Sequence, residues 1–407
     1  MDDDHQPQIG LDLWKTDRPE TGWLHEVECE LCRRCGTDSK VARQDLETFV
    51  TRVLAKHGVP AEEGDTVARV LVAADLRGIA SHGVARLGRY LNGIEAGYIR
   101  PGVDIEVTEA AASIATIDAR HGLGQVAAAR GMNLAIAKAQ QGGVGVVTVK
   151  NSNHYGIAGY YVQTALDKRL IGISMTNAAP LVIPTHGTKA LLGTNPIAFG
   201  MPAARPPDFL LDMATSVVTR GKLEVHDRNH EQMPQGWAVD ENGYDCQDPG
   251  HVIANLVAQA GGGILPLGGR GETFGGHKGY GLAVMTDLLC GVLAGSAYGR
   301  DVNDLKRELP KGEIAAPRVG HFFLALAPER FMPLSVLEQR VDAFITMIKR
   351  SPKANNSPQI FIHGEKEHAR ALAHEKSGIP IAANVLETLR AIATKCGVEP
   401  PRTLGGS

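Results

Sequence analysis

One segment of the sequence places a histidine in a setting that suits proton transfer. The stretch VKNSNHYGIAGYY (149–161) puts His154 among small polar residues, directly after an apolar run. A strand that ends in a polar loop is a common location for catalytic side chains. An imidazole pKa near neutrality lets histidine accept and return a proton in one cycle. Lys150, Ser152 and Asn153 could orient the ring or a substrate. On this pattern alone, a loop histidine without a chemical role is the alternative.

A second segment, DLRGIASHGVARLGRY, combines a serine, a histidine, an arginine and a tyrosine at steps of four to five residues. These are Ser81, His82, Arg86 and Tyr90. If the segment is helical, Arg86 and Tyr90 share a face with His82. The planar guanidinium of arginine suits a carboxylate because it can bond both oxygens. An ordinary solvated helix face explains the same pattern equally well.

A third segment has the outline of a dinucleotide-binding fingerprint. It reads Gly122-x-Gly124-x-x-Ala127 between a predicted strand and a predicted helix. The Rossmann fingerprint also needs an acidic residue about 20 positions later for the ribose hydroxyls. No Asp or Glu follows Gly124 before Lys150. We therefore do not assign a Rossmann site to these glycines.

Two groups of residues have some of the spacing of metal sites. The first is CELCRRC, with Cys29, Cys32 and Cys35, and the second is HDRNH, with His226 and His230. Most zinc and iron–sulfur sites need four ligands, and no second cysteine or histidine pair follows at the required spacing. We expect no metal, and we interpret the cysteines as part of an irregular extension.

Composition bounds the class of protein. The chain has 407 residues, a formal net charge of -3, 47 glycines and 43% hydrophobic but only 5% aromatic residues. This favours an α/β enzyme over an all-β binding module, and it gives no charge field that would recruit nucleic acid or a membrane. The acidic start MDDDHQPQ lacks the regions of a signal peptide, so we expect a cytoplasmic protein.

The elements that must position these side chains alternate between helices and strands. Hydrophobic periodicity predicts a helix from about Asp38 to Gly58 and a second one that runs on through His82. Strands and helices then alternate from 113 to 295, and the last helix of that part, 278–295, is so apolar that we expect it to be buried. The prediction is an α/β sheet domain flanked by helical material from both ends of the chain.

The predicted organisation has four parts. Residues 1–38 form an irregular extension, 39–112 a helical N-terminal part, 113–299 the α/β domain, and 300–407 a C-terminal part that packs back on the N-terminal helices.

Taken together and in order, these segments resemble a known family. The motifs that carry the resemblance cover roughly residues 40–400 and read ADLRGIASHGVARLGRY, VKNSNHYGIAGYY, MTNAAP, LLGTNPIAFGMP, LLDMATSVVTRGK, MPQGWAVDENG, ILPLGG, HKGYGLAV and GHFFLAL. The family is the malate/L-lactate dehydrogenase family, which is unrelated to the Rossmann lactate dehydrogenases. It includes ureidoglycolate and sulfolactate dehydrogenases and Δ1-piperideine-2-carboxylate reductase. The resemblance implies a homodimer with a non-Rossmann nicotinamide-binding α/β domain, which uses NAD or NADP on a small 2-hydroxy or 2-oxo acid.

The resemblance also implies roles for single residues. By the pattern of the ureidoglycolate dehydrogenase-like members, His154 would accept the proton of the substrate hydroxyl. By that of the reductase-like members, Ser81 with His82 would form a proton donor and its relay partner, and the division of proton transfer between His82 and His154 stays open. Arg86 would hold the substrate carboxylate, with Tyr90 and Thr194 as further substrate contacts. The expected cofactor contacts are His154, Tyr155, Gly156, Asn177, Ala178, Asp212, Met213, Ala214, Arg220, Lys222, Gly268, Gly269, Gly364 and Glu365.

Three positions depart from the family pattern. Lys222 stands where the reductase members carry an acidic relay residue, so the lysine could bind the cofactor or substrate instead. The usual PGE near the C-terminus is HGE (363–365), and the insertion RGETFGG (270–276) is longer than typical. Two other functions remain open: an NADPH-dependent ketimine reductase of cyclic imino acids, and a non-catalytic nucleotide-binding protein.

Overall fold

The computed structural model describes residues 39–303 and 316–404. Its α-helices are α1 (Arg43–Lys56), α2 (Ala61–Leu76), α3 (Leu87–Glu95), α4 (Gly124–Gly142), α5 (Ala158–Leu166), α6 (Arg220–Arg228), α7 (Pro249–Ala258), α8 (Gly276–Asp287), α9 (Leu334–Lys349), α10 (Glu365–Ser377) and α11 (Ala383–Cys396). Its strands are β1 (Ser39–Val41), β2 (Glu106–Ala111), β3 (Ile114–Asp118), β4 (Val144–Ser152), β5 (Ile171–Thr176), β6 (Ile197–Met201), β7 (Phe209–Met213), β8 (Ala238–Val239), β9 (Gly263–Ile264), β10 (Val319–Leu326), β11 (Ile379–Ile381) and β12 (Thr403–Leu404).

A seven-stranded sheet is the centre of the fold, with the strand order β2-β3-β4-β10-β5-β6-β7. Only the β3–β4 pair is parallel, and its crossover is α4. The other pairs of this sheet are antiparallel. The predicted α/β class with a central sheet is therefore confirmed.

Helices α4 and α5 cover one face of this sheet with an apolar core. Met132 and Tyr161 come from the helices, and Val147, Val149 and Phe323 come from β4 and β10. Gly131 lets α4 approach the sheet closely, because a Cβ there would lie 2.8 Å from the Phe323 ring. This packing fixes the carboxyl end of β4, where the His154 loop begins.

A second core joins helices from the two ends of the described chain. Leu46, Leu71 and Leu87 from α1, α2 and α3 pack with Leu389 of α11. Strand β1 pairs with both β11 and β12. A smaller third core, around Leu223 and the β8–β9 pair, lies under α6 and α7.

Two sequence predictions differ from the structure. The predicted boundary between 113–299 and 300–407 separates β10 from the sheet, whereas β10 lies in the middle of that sheet. The reason is that an apolar strand buries most of its surface in a central position. The 278–295 helix is not fully buried: α8 continues into wider π-type turns over Leu288–Leu293. There Leu288 and Val292 are 52% exposed and Leu293 is 61% exposed. Within the described residues, no helix is long and apolar enough to cross a membrane.

Candidate active site

The Ser81–His82 segment is a folded-back loop and not the continuous helix that we predicted. α2 ends at Leu76, Gly78 has φ +74°, and two short 3-10 turns, Ala80–His82 and Val84–Arg86, precede α3. The helix stops because a glycine in the left-handed region is followed by a glycine-containing loop that a buried carboxylate stabilises.

That carboxylate belongs to Asp75, which accepts a hydrogen bond of 2.7 Å from the Val84 backbone N–H. Burial raises the pKa of Asp75 to about 7. Gly83 passes so close that a Cβ there would lie 1.9 Å from Asp75 Oδ1. Asp75 therefore fixes the loop from beneath.

The loop presents a serine, a histidine and an arginine together. Ser81 Oγ lies 2.9 Å from His82 Nδ1. Arg86 donates from Nε to the Ser81 carbonyl at 2.7 Å, which sets the direction of its guanidinium. Within residues 39–303 and 316–404, Arg86 has no carboxylate partner. Its remaining N–H groups can therefore serve an anionic ligand.

The His154 loop is held by the first turn of α4. Asn153 donates from Nδ2 to the carbonyls of His121 and Gly122, at 3.0 and 2.8 Å. A Cβ on Gly124 would lie 2.2 Å from the Asn153 carbonyl oxygen and 2.5 Å from that of His154. The glycine pattern thus has a local explanation: it allows α4 to start directly against the His154 loop.

Gly124→Ala is expected to displace this loop. We expect a loss of about 1–3 kcal/mol in the free energy of unfolding, as for other overpacked sites, together with reduced kcat. Gly142→Ala at the other end of the same helix is the matched control, since nothing lies within 4 Å of its Cβ position. Chemical denaturation and steady-state kinetics of both variants test this, and equal behaviour of the two would contradict it.

The fold brings the two histidine segments together. The rings of His82 and His154 stack at 5.6 Å between centroids with an interplanar angle of 20°. Tyr90, which is buried in α3, places its hydroxyl 2.7 Å from His154 Nδ1. Ser81, His82, Arg86, Tyr90 and His154 therefore form one cluster, which we call the histidine cluster.

Both histidines of the cluster are neutral at neutral pH. Burial, followed by the positive charges of Arg86 and Arg89, lowers the pKa of His82 to about 4. Burial is also the main cause that lowers the pKa of His154 well below 6.5, with Arg89 next. A neutral imidazole has a lone pair that can accept a proton.

These shifts predict the acid limb of the pH–rate profile. A histidine base is inactive when protonated, so activity falls as pH drops through its pKa. Because both pKa values are depressed, we expect kcat/KM for hydroxy-acid oxidation to hold its plateau down to about pH 6 or lower. We expect the acid limb of kcat to lie at a higher pH than that of kcat/KM. A bound substrate carboxylate offsets the arginine charges and so raises the histidine pKa values in the complex. Activity at neutral pH after incubation at each pH controls for unfolding, and a kcat/KM limb near pH 7 would contradict the assignment.

Beneath the His154 loop lies a buried histidine that the sequence analysis did not single out. His321 of β10 bonds Thr176 Oγ1 from Nδ1 and Ser152 Oγ from Nε2, both at 2.8 Å. Its ring stacks on Tyr155 at 4.6 Å. The sequence HFFLAL could have indicated this residue, because a histidine in an apolar central strand needs buried polar partners.

Asp212, at the end of β7, has the features of a cleft residue. The Asp212 side chain is partly exposed to solvent, but many protein atoms lie around its carboxylate. The resulting desolvation raises the pKa of Asp212 to about 6. It accepts a 2.7 Å hydrogen bond from the Gly159 N–H in the first turn of α5. Met213 and Ala214 follow it. Gly364 lies against Leu210 of the same strand, where a Cβ would lie 3.1 Å from the Leu210 Cβ.

Several predicted cofactor residues have side chains that are committed to the protein interior. Tyr155 is buried between Tyr161 and His321. Asn177 uses both Nδ2 hydrogens, on Asp287 and the Ala297 carbonyl, and Glu365 pairs with Lys349. Their backbone is engaged as well: the Tyr155 carbonyl accepts from the Tyr161 hydroxyl, and the Asn177 N–H donates to the Gly320 carbonyl. Gly156, which has no side chain, has a φ of +86°.

The remaining predicted residues lie around α6 and the segment after β7. Arg220 pairs with Glu224, Lys222 lies 5.9 Å from the Trp237 ring centre, and a Cβ on the intervening Gly221 would lie 4.0 Å from Ser81 Cβ. The carbonyl of Thr194 accepts from Thr215, and Ala178 donates to Asn195. Gly268 and Gly269 form a tight turn against the start of α8.

The candidate metal motifs have different outcomes. His226 lies in the last turn of α6 beside Trp237, and Glu231 Oε2 lies 3.8 Å from its Nδ1. In the part of the chain that the structure describes, no group of three or more His, Cys, Asp or Glu side chains is arranged to hold a metal ion. The cysteines of CELCRRC lie outside the described residues.

Comparison with known proteins shows the family of this chain. Residues 41–390 match the family described as malate/L-lactate dehydrogenase. The malate dehydrogenase of Pyrococcus horikoshii is 47% identical over 362 residues, which is 88% of this chain and 96% of that protein. The malate/(S)-sulfolactate dehydrogenase of Methanothermus fervidus is 36% identical, over 88% of this chain and 98% of that protein. The solved structure of the Pyrococcus horikoshii malate dehydrogenase matches with a TM-score of 0.79 at 44% identity, over 89% of this chain and 96% of that chain.

Two further relatives carry a cofactor in their names. The ureidoglycolate dehydrogenase (NAD(+)) of Escherichia coli K12 is 33% identical, over 86% of this chain and 95% of that protein. The (2R)-3-sulfolactate dehydrogenase (NADP(+)) of Chromohalobacter salexigens is 34% identical, over 87% of this chain and 98% of that protein. On the family match over residues 41–390 and these identities, this chain belongs to the malate/L-lactate dehydrogenase family.

Proposed function

We propose that the protein oxidises a small 2-hydroxy acid with NAD or NADP, and that His154 is the base. The observation that carries this proposal is the histidine cluster, which places a neutral imidazole near an arginine that has no carboxylate partner among the described residues. A hydroxy acid needs both groups, one for its hydroxyl proton and one for its carboxylate.

The proposed chemistry is a proton transfer beside a hydride transfer. Arg86 binds the substrate carboxylate and so places the C2 hydroxyl beside the histidines. His154 accepts the hydroxyl proton on its second ring nitrogen, and His82, with Ser81, lies stacked beside it to share or pass on that proton. The bound nicotinamide supplies the acceptor for the C2 hydride. Because proton and hydride leave from neighbouring atoms, the placement of the two acceptors governs the rate.

The residues around Asp212 fit a nicotinamide dinucleotide. The exposed carboxylate suits ribose hydroxyls. In the first turn of α5 it accepts from the Gly159 N–H, and the N-cap residue Ile157 adds no side-chain bond among the described residues, so further backbone N–H groups remain for anionic oxygens. Gly156 adds a backbone position without a side chain between this helix and His154. We propose that the sheet, including β10, is this non-Rossmann cofactor domain, and that the helical core from both chain ends carries Arg86.

We further propose that the preferred substrate is a dianion of the malate or sulfolactate type. Arg86 and Arg220 lie close enough to Arg89 to lower its pKa, after burial as the largest cause. Positive charge on neighbouring arginines favours an anionic substrate, and the pairing of Arg220 with Glu224 offsets only part of that charge. The relatives named for malate and sulfolactate support this class.

The ketimine reductase is the weaker candidate. It relies on an acidic residue at the position of Lys222, and here that lysine lies beside Trp237. Pairing with an aromatic ring suits a cation that remains charged rather than a proton relay. Activity with cyclic imino acids above that with malate would favour the reductase.

We also propose a homodimer that covers the exposed face of Leu288, Val292 and Leu293. The segment from Leu282 to Leu293 has one charged residue, Asp287, and an exposed apolar row of this kind marks an interaction surface. Light scattering after size exclusion gives the mass in solution. We expect L288D/L293D to yield monomers and F344D/M347D, on the more highly charged α9, to remain dimeric. The reverse result would move the interface to α9.

A further inference from the structure

A chain of three polar side chains crosses the centre of the sheet below the His154 loop. It consists of Ser152 of β4, His321 of β10 and Thr176 of β5, and all three are buried. The His321 ring bonds Ser152 Oγ and Thr176 Oγ1, both at 2.8 Å. A buried polar network in which every member is paired fixes one arrangement of the strands around it.

The direction of the protons in this chain follows from Thr176. Its hydroxyl donates to the carbonyls of Asn177 and Gly320, at 3.0 Å each, and a carbonyl has no proton to return. The Thr176 oxygen is therefore the acceptor for the ring, so His321 carries its proton on Nδ1. Nε2 then has a lone pair, which accepts from the Ser152 hydroxyl. Burial lowers the pKa of His321 to about 3, so the ring is neutral at neutral pH.

The backbone at the end of β4 is irregular where this bond is made. Ser152 lies opposite Val319 of β10. Val149 lies opposite His321, so β4 takes three steps where β10 takes two. Asn151 lies within this bulge and has a φ of +52°, in the left-handed region that is uncommon for residues with a side chain. Bulges are frequent next to active sites, where they re-aim side chains. The side-chain bond to Ser152 holds the strand where its regular ladder is interrupted.

His321 contacts the residues on both sides of the proposed base. Ser152 is two residues before His154, and Tyr155 directly follows it. The Tyr155 ring stacks on His321 at 4.6 Å between centroids with an interplanar angle of 6°. We propose that His321 is a positioning residue, which accepts the Ser152 hydroxyl on Nε2, packs against Tyr155 and so fixes the place of His154 between them. This inference rests on the proposed function of His154 and adds what holds the base in place.

Ser152→Ala tests the bond to the loop, and Ser174→Ala is its matched control. Ser174 is another buried serine of the sheet, and its Oγ lies 3.2 Å from the Tyr155 hydroxyl oxygen, so its loss leaves both contacts of His321 intact. For Ser152→Ala we expect kcat lower by about tenfold or more, with KM for hydroxy acid and cofactor changed by less than about threefold, because a misplaced base raises the barrier and leaves substrate binding in place. Ser174→Ala should keep near-native kcat. Near-native kcat in Ser152→Ala, or an equal loss in both variants, would overturn the proposal.

Nitrogen NMR correlation spectra of histidine-labelled protein test the proposal without substrate or cofactor. The His321 signals are identified by their contacts with the Tyr155 ring protons, and those of His154 by their loss in His154→Ala. We expect the Nδ1–H form of His321 in the wild type. We expect the His154 ring signals to shift in Ser152→Ala and to stay in place in Ser174→Ala. An Nε2–H form of His321, or unshifted His154 signals in Ser152→Ala, would overturn the proposal.

Two features keep the test decisive. If Ser152→Ala does not fold, the wild-type spectrum still decides, since the Nε2–H form of His321 contradicts the proposed bond and the Nδ1–H form supports it. The spectra are also separate from the proposed function. Absence of hydroxy-acid oxidation would reject the reaction and leave the result for His321 standing on its own.

Discussion

Replacing His154 by alanine is expected to lower kcat for hydroxy-acid oxidation by about 10² or more. The variant loses the only ring in the cluster that is bonded to Tyr90 and stacked on His82. Solvent, which is a weaker and unpositioned base, must then accept the hydroxyl proton. The loss should appear in kcat and kcat/KM alike, because the base acts in the transition state more than in substrate binding.

His186→Ala is the matched control, since that histidine is exposed on the surface beside Glu272. His82→Ala separates the roles of the two rings. If kcat of His82→Ala falls as far as that of His154→Ala, the two rings act together in the proton transfer. A smaller fall in kcat would give His82 a supporting role. Near-native kcat in His154→Ala would remove His154 from the proposed base position.

Replacing Arg86 by leucine is expected to raise KM for the hydroxy acid by about tenfold to a hundredfold. This corresponds to the loss of a charge-assisted hydrogen bond to a carboxylate. Arg86 is anchored by its Nε to the Ser81 carbonyl, so its terminal N–H groups are held in a fixed orientation before the substrate arrives. KM for the nicotinamide cofactor should change little.

Two variants sharpen this test. Arg86→Lys keeps the charge but loses the bidentate geometry, and it should fall between wild type and leucine. Arg43→Leu removes an exposed arginine that pairs with Glu47 and should leave the kinetics unchanged. An unchanged KM for malate, lactate and sulfolactate in Arg86→Leu would reject the carboxylate contact.

The elements with a strong local pattern were predictable from the sequence. The alternation in 113–213 predicted strands β3 to β7 and helix α4 near their observed bounds. Each of these segments has either a buried apolar run or a helical period. The place of β10 was not predictable, because pairing between β4 and β5 depends on contacts across about 150 residues of chain, which no local period encodes.

The candidate site shows the same division. Residue types identified His154, His82 and Arg86 as chemically suitable, but the helix predicted through Ser81 is wrong. Helical periodicity does not reveal the hydrogen bond from the Val84 N–H to the buried Asp75 carboxylate, nine residues earlier, which ends the helix. Asp75 and His321 were missed because each bonds a partner distant in sequence. A polar side chain inside an apolar helix or strand was their common signal.

The most direct test of the central claim is a substrate screen by absorbance of the reduced nicotinamide. Purified protein is assayed with malate, lactate, sulfolactate and ureidoglycolate, each with NAD and with NADP. We expect oxidation of a 2-hydroxy acid, with kcat/KM for malate or sulfolactate at least about tenfold above that for lactate, and loss of this oxidation in His154→Ala. Oxidation that survives in His154→Ala, or no oxidation of any of these acids with either cofactor, would contradict it.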